Sequence, residues 1–138
     1  MKFAFYLSFL LFSSLVNAEN NPVKLFEEKA STTFESCSAL ISLQLMAKSR
    51  DRIKPYCGNI ETVEEVKSMY KIAKEHLESE GNNGGIEQLK NYYAYWKTSM
   101  EILMPESFES DTAYKDRISK RKMSLKDKGT LLEVEADY

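Results

Sequence analysis

Histidine, cysteine and tryptophan are almost missing from this chain: one His, two Cys and one Trp in 138 residues. That scarcity removes several chemistries. A metal centre wants several His, Cys or carboxylate ligands converging, and His76 stands alone beside Glu75 and Glu78 on what reads as a solvated helix face. There is no Ser–His–Asp order, no glycine-rich phosphate loop and no zincin spacing. Carboxylates are plentiful but fall at helix-surface positions, where solvation is their ordinary role rather than acid–base catalysis. We therefore expect no enzyme activity, no metal and no cofactor. Internal repeats and alternating strand patterns are missing too. The few glycines and prolines stand where segments start or stop, which leaves long uninterrupted helical stretches.

What is present begins with Met1-Lys2, an apolar block from Phe3 to Val16, and Val16-Asn17-Ala18 before Glu19. A positive start, a short apolar core and small residues before the cut describe a secretory signal peptide over 1–18. The block is too short to span a bilayer comfortably, and no later run is long enough, so no transmembrane segment is expected after cleavage. The mature chain is then expected in the periplasm or secreted, as a helical core over 19–110 followed by a basic helix and acidic tail over 111–138.

Cys37 and Cys57 are the only thiols, and an exported protein with an even, small number of cysteines usually oxidises them. Nineteen residues separate the two. An unbroken helix from Cys37 to Ile53 would carry its end ~24 Å away, and four extended residues reach back only about 14 Å. Disulfide Cα atoms lie within roughly 7 Å. The bridge therefore requires the first helix to stop near 47–50, where the polar run Lys48–Arg52 begins.

Four helices follow from the periodicity, giving an all-α fold, a small bundle of about four helices with one disulfide. Asn20-Asn-Pro22 starts the first, whose inward stripe is Phe26, Ala30, Phe34, Cys37, Ile41 and Leu45. Leu40, Leu43 and Met46 widen it, so that end is expected to be deeply buried. Thr62-Val-Glu-Glu65 reads as a capping box for the second helix, with Val63, Val66, Tyr70, Ala73 and Leu77 inward. The run Gly81–Gly85 ends it, and a third helix is expected from Ile86 to Met104. Its stripe is Ile86, Leu89, Tyr93, Trp96, Met100 and Leu103, with Tyr95 and Ile102 on a second face and Tyr92 between. Phe108, beyond Pro105, is expected to tuck under the bundle. Asp111 caps a last helix through Lys128, stopped by Gly129; its sparse stripe is Tyr114, Ile118, Met123 and Leu125.

Charge is unevenly spread. From Thr112 to Lys128 seven basic residues face two acids, a net +5, whereas the rest of the mature chain carries −8. Such asymmetry steers oppositely charged partners, and nucleic acid is not expected to be one. Tyr92, Tyr93, Tyr95 and Trp96 crowd one helix: they are either core with ordinary half-exposed tyrosines, or a partner face, since Tyr and Trp carry interface energy most often. The candidate partner-binding residues are Tyr92, Tyr95, Ile102 and the polar loop tip Asn82, Asn83, Gly84.

The run Cys37-Ser-Ala-Leu-Ile-Ser-Leu-Gln-Leu-Met46, then Tyr56-Cys57, then Glu61-Thr-Val-Glu-Glu-Val66 with Ala73 and Leu77, resembles the Rap/Tai immunity domain over roughly 35–105. Ile102-Leu-Met-Pro105 stands at that family's last motif. The resemblance implies a periplasmic immunity protein that inhibits a secreted peptidoglycan amidase effector of type VI secretion. It also implies a homodimer whose loop or helix plugs the amidase cleft. Two alternatives stay open. One is a structural or adaptor subunit of an envelope complex, its basic helix on anionic lipid heads or an acidic partner. The other is a carrier of small apolar ligands with a pocket near Trp96.

Overall fold

The computed structural model describes residues 21–47 and 60–138. The expected signal peptide, the turn around Pro55 and Cys57 lie outside them. Four helices follow in order: α1 (Pro22–Met46), α2 (Ile60–Ser79), α3 (Asn83–Glu101) and α4 (Asp111–Ala136), with no strand among the described residues. The all-α bundle is as expected; several boundaries are not.

α1 starts because Asn21 supplies an acceptor to otherwise unpaired amides: its Oδ1 takes the N–H of Val23 at 2.8 Å and of Lys24 at 3.4 Å, with Pro22 at the first helical position. It ends at Met46, where the Ala47 N–H returns to the Leu43 carbonyl. That is the early stop a Cys37–Cys57 bridge requires. Its expected stripe, Phe26 to Leu45, is buried throughout. Leu40, Leu43 and Met46 are not: they are 46, 57 and 58 % exposed, because at ~100° per residue they fall well off that stripe.

α2 begins at Ile60, so Thr62 lies within the helix rather than at its cap. It ends in a Schellman arrangement: Asn82 N–H to Leu77 carbonyl, Gly81 N–H to Glu78 carbonyl, with Gly81 at φ 68°. Asn82 then caps α3 at once, its Oδ1 accepting from Gly85 N–H at 2.8 Å. α3 therefore starts at Asn83, three residues ahead of expectation, and stops at Glu101.

The last helix departs most from expectation. It runs on through Gly129 to Ala136 instead of stopping, capped at its start by Ser110. Gly129 serves here as a point of close approach: a Cβ there would stand 2.9 Å from Glu27 Oε1 and 3.6 Å from the Tyr92 ring. Leu132 and Ala136 beyond it are buried. α4 packs against α1 and α3.

The core is aromatic at its middle. Phe26 meets Tyr70, Tyr92 and Tyr93 edge-on at 5.8–6.1 Å, and Tyr70 stacks on Tyr93 at 4.2 Å. Trp96 is fully enclosed, and its indole N–H donates to the Ala30 carbonyl at 2.7 Å. No helix among the described residues is long and apolar enough to cross a membrane.

Candidate partner-binding site

α3 buries Gly85, Leu89, Tyr92, Trp96 and Ser99, with Leu103 just beyond its end; Leu89, Trp96 and Leu103 are as expected, whereas Tyr92 and Ser99 take the interior places expected for Tyr93 and Met100. Tyr92 is therefore interior and cannot meet a partner. Its hydroxyl donates to Glu27 Oε1 at 3.3 Å, and burial, followed by the nearby Glu27 charge, pushes the phenol pKa up. Tyr93, Ile86 and Met100 flank the core on one side.

Tyr95 flanks it on the other and is half-buried. Two cations of α4 cover its ring: the Arg121 guanidinium lies 4.9 Å from the ring centre and the Lys128 ammonium 5.2 Å. Each such contact contributes about 0.5–1 kcal/mol at a partly exposed site. Beside it lies a depression of about 430 Å³, lined by Tyr95, Ala113, Asp116, Arg117, Lys120, Arg121 and Ser124. Small side chains at Ala113 and Ser124 leave the space; cations rim it. Lys120 reaches Asp116 at 3.5 Å, but both are largely exposed, and such a pair is worth little.

Arg117 ties this surface to the α3–α4 connection. Its Nε and Nη2 donate to Glu109 at 2.7 and 2.6 Å, Nη1 donates to the Ile102 carbonyl, and Nη2 also reaches the Met104 carbonyl at 3.2 Å. Donation to the Glu109 carboxylate holds the guanidinium pKa above its ordinary value. Tyr114, under the guanidinium, donates to the Leu103 carbonyl at 3.0 Å.

The other expected residues do not join Tyr95. Ile102 is half-buried at the far end of α3 and contributes its carbonyl to Arg117. Asn82, Asn83 and Gly84 lie at the opposite end, about 28 Å away along the 19-residue helix. That loop is docked rather than projecting: Asn82 Nδ2 donates to the Glu135 carbonyl at 2.8 Å, and a Cβ on Gly84 would stand 2.7 Å from Glu135 Oε2. Asn83 alone of the three is exposed. Cys37 is buried in α1, and its proposed partner Cys57 lies outside the described residues.

A second groove, about 630 Å³, runs between α1 and α4 over Phe34, Leu125 and Gly129, edged by Lys24, Glu27, Glu28, Lys122, Lys126, Glu133 and Tyr138. Neither groove is lined by Trp96. Arg121 and Lys128 were visible in the sequence only as part of a basic run; their seven-residue spacing, two helical turns, sets both on one face of α4, but nothing in it pairs that face with Tyr95.

No family model, no curated protein and no solved structure matches this chain.

Proposed function

We propose that this chain is an exported, non-catalytic binding protein that grips an acidic partner surface through the Tyr95 face of α3 and α4. The observation that carries this reading is the Tyr95 ring held under Arg121 and Lys128 beside a cation-rimmed depression. Aromatic and arginine side chains gathered on one surface are the usual anchors of protein recognition, and surplus positive charge steers an acidic partner to them.

On the resemblance of 35–105 to the Rap/Tai domain, the partner is a secreted peptidoglycan amidase and the chain is its periplasmic immunity protein, working as a homodimer. The Cys37–Cys57 disulfide belongs to the same reading; burial of Cys37 and the end of α1 at Met46 support it. The test is survival. Cells that lack this chain should lyse when a secreted peptidoglycan amidase effector reaches their periplasm, and recover when the chain is restored. Recovery should fail with Arg121→Glu combined with Lys128→Glu. Survival of the deletion strain would refute the proposal.

A second reading, an envelope adaptor on anionic lipid heads, is favoured by exposed Lys115, Lys120 and Lys126 and by Met123, 64 % exposed on the same helix. Flotation with vesicles containing anionic lipid, lost at high salt, would support that reading over the first.

A further inference from the structure

The larger groove, about 630 Å³ between α1 and α4, shares no residue with the Tyr95 depression. Its volume is ordinary for a small-ligand site. Its floor offers little apolar surface, since Phe34 is 1 % and Leu125 3 % exposed. An occupant is therefore held by the polar walls. Ser31, Thr130 and Tyr138 bring hydroxyls to those walls. Gly129 has no side chain to displace the Glu27 carboxylate, which a Cβ there would meet at 2.9 Å.

Charge is distributed unevenly along the groove. Two pairs are already matched: Lys122 with Glu35 at 3.0 Å and Lys24 with Glu28 at 4.0 Å. Glu27, Glu133 and Lys126 form no ion pair among the described residues. The two unpaired carboxylates meet at one end. Burial, with Glu28 and Glu133 adding to it, raises the Glu27 pKa although the Tyr92 hydroxyl opposes the shift; that is how a carboxylate short of positive charge responds. Burial, then Glu27, Glu133 and Glu28, pushes the Tyr138 phenol up as well, so these acids face one another around that ring. Lys126 precedes Glu133 by seven residues, two turns or about 10 Å along the same face of α4.

A ligand that complements this arrangement carries an ammonium at one end, a carboxylate about 10 Å away and polar groups between. A plain amine leaves Lys126 unmatched, and a plain carboxylate leaves Glu27 and Glu133 unmatched. An extended chain advances ~3.3–3.6 Å per residue, so a tripeptide with free ends has the right span. We propose that the groove binds a peptide of about three residues, its N-terminal ammonium between Glu27 and Glu133 and its C-terminal carboxylate on Lys126. Ser31 and Thr130 line the stretch its amides cross. Binding is tolerant of peptide sequence, because the covered floor provides no open apolar subsite for a side chain.

Titration of tri-alanine into the purified chain, followed by two-dimensional amide NMR, tests it. Saturable shifts should appear at Ser31, Gly129 and Thr130. N-acetylated tri-alanine should bind about tenfold more weakly, and the C-terminal amide about fivefold. Free alanine, whose charges lie too close together to reach both ends, should bind at least about tenfold more weakly. Glu27→Gln and Lys126→Gln should each reproduce the loss caused by blocking the end that residue holds. In Lys126→Gln the amide should bind as well as the free acid, a result that general damage to the groove does not produce. No saturable shift in the groove, equal binding of the blocked and free peptides, or a Lys126→Gln variant that still favours the free acid overturns the proposal.

Discussion

Two side chains set the local chemistry, Glu27 and Arg117. Glu27 lies under α4 against Gly129, and burial raises its pKa above the ordinary carboxylate value. Glu28 and Glu133 push in the same direction, and the Tyr92 hydroxyl partly offsets them. The fold thus holds the Glu27 proton more tightly than the unfolded chain does. Stability is lost as pH rises from the ordinary carboxylate value through the raised one. Glu27→Gln should therefore gain melting temperature relative to wild type across that window, with a constant difference above it; parallel curves throughout would contradict this. Arg117 makes its bonds to Glu109 and to two backbone carbonyls at once. Arg117→Ala should cost about 1–3 kcal/mol in urea unfolding, with Lys no adequate replacement because it lacks the planar fork.

At the scale of the elements, α4 is where sequence and structure part. The period of α1 is strong and uninterrupted, so the stripe from Phe26 to Leu45 was legible, although Leu40, Leu43 and Met46, read with it, are exposed. In α4 the charges dilute the pattern and Gly129 imitates a stop. The register nonetheless continues: Tyr114, Ile118, Leu125, Leu132 and Ala136 step by four or seven and pass through the glycine. Met123, read as core, is off that line. In α3 the buried but polar Ser99, whose hydroxyl is satisfied by the Tyr95 carbonyl at 2.7 Å, concealed the true phase and moved Tyr92 from surface to core. Phe108, expected under the bundle, is fully exposed; it had no signal at all, since apolar character alone argues for burial. Leu132→Ala should cost about 2–5 kcal/mol, whereas Val134→Ala, 70 % exposed two residues on, should change stability by less than about 0.5 kcal/mol. Equal effects would mean that 130–138 is not part of the packed helix.

For the whole molecule, the four helices bring a basic surface and an acidic remainder into one compact unit. The all-α class was legible from helical period and caps. The surface proposed to grip was not, because Tyr95, Arg121 and Lys128 come from two elements whose contact no local pattern encodes. A covalent tie between α1 and the segment before α2 would stabilise this unit by ~3 kcal/mol. Reductant should then lower the melting temperature of wild type and leave Cys37→Ser unmoved. An identical response of the two proteins would exclude the bridge.

The proposed function stands or falls with the Tyr95 face as the gripping surface. Calorimetric titration of a secreted peptidoglycan amidase, the proposed partner, into wild type and into the Arg121→Glu, Lys128→Glu double variant, at low and high salt, is the decisive measurement. Binding to wild type should be tight, weaken with salt and fall by about tenfold or more in the variant. Equal affinity for both proteins, unmoved by salt, would contradict it.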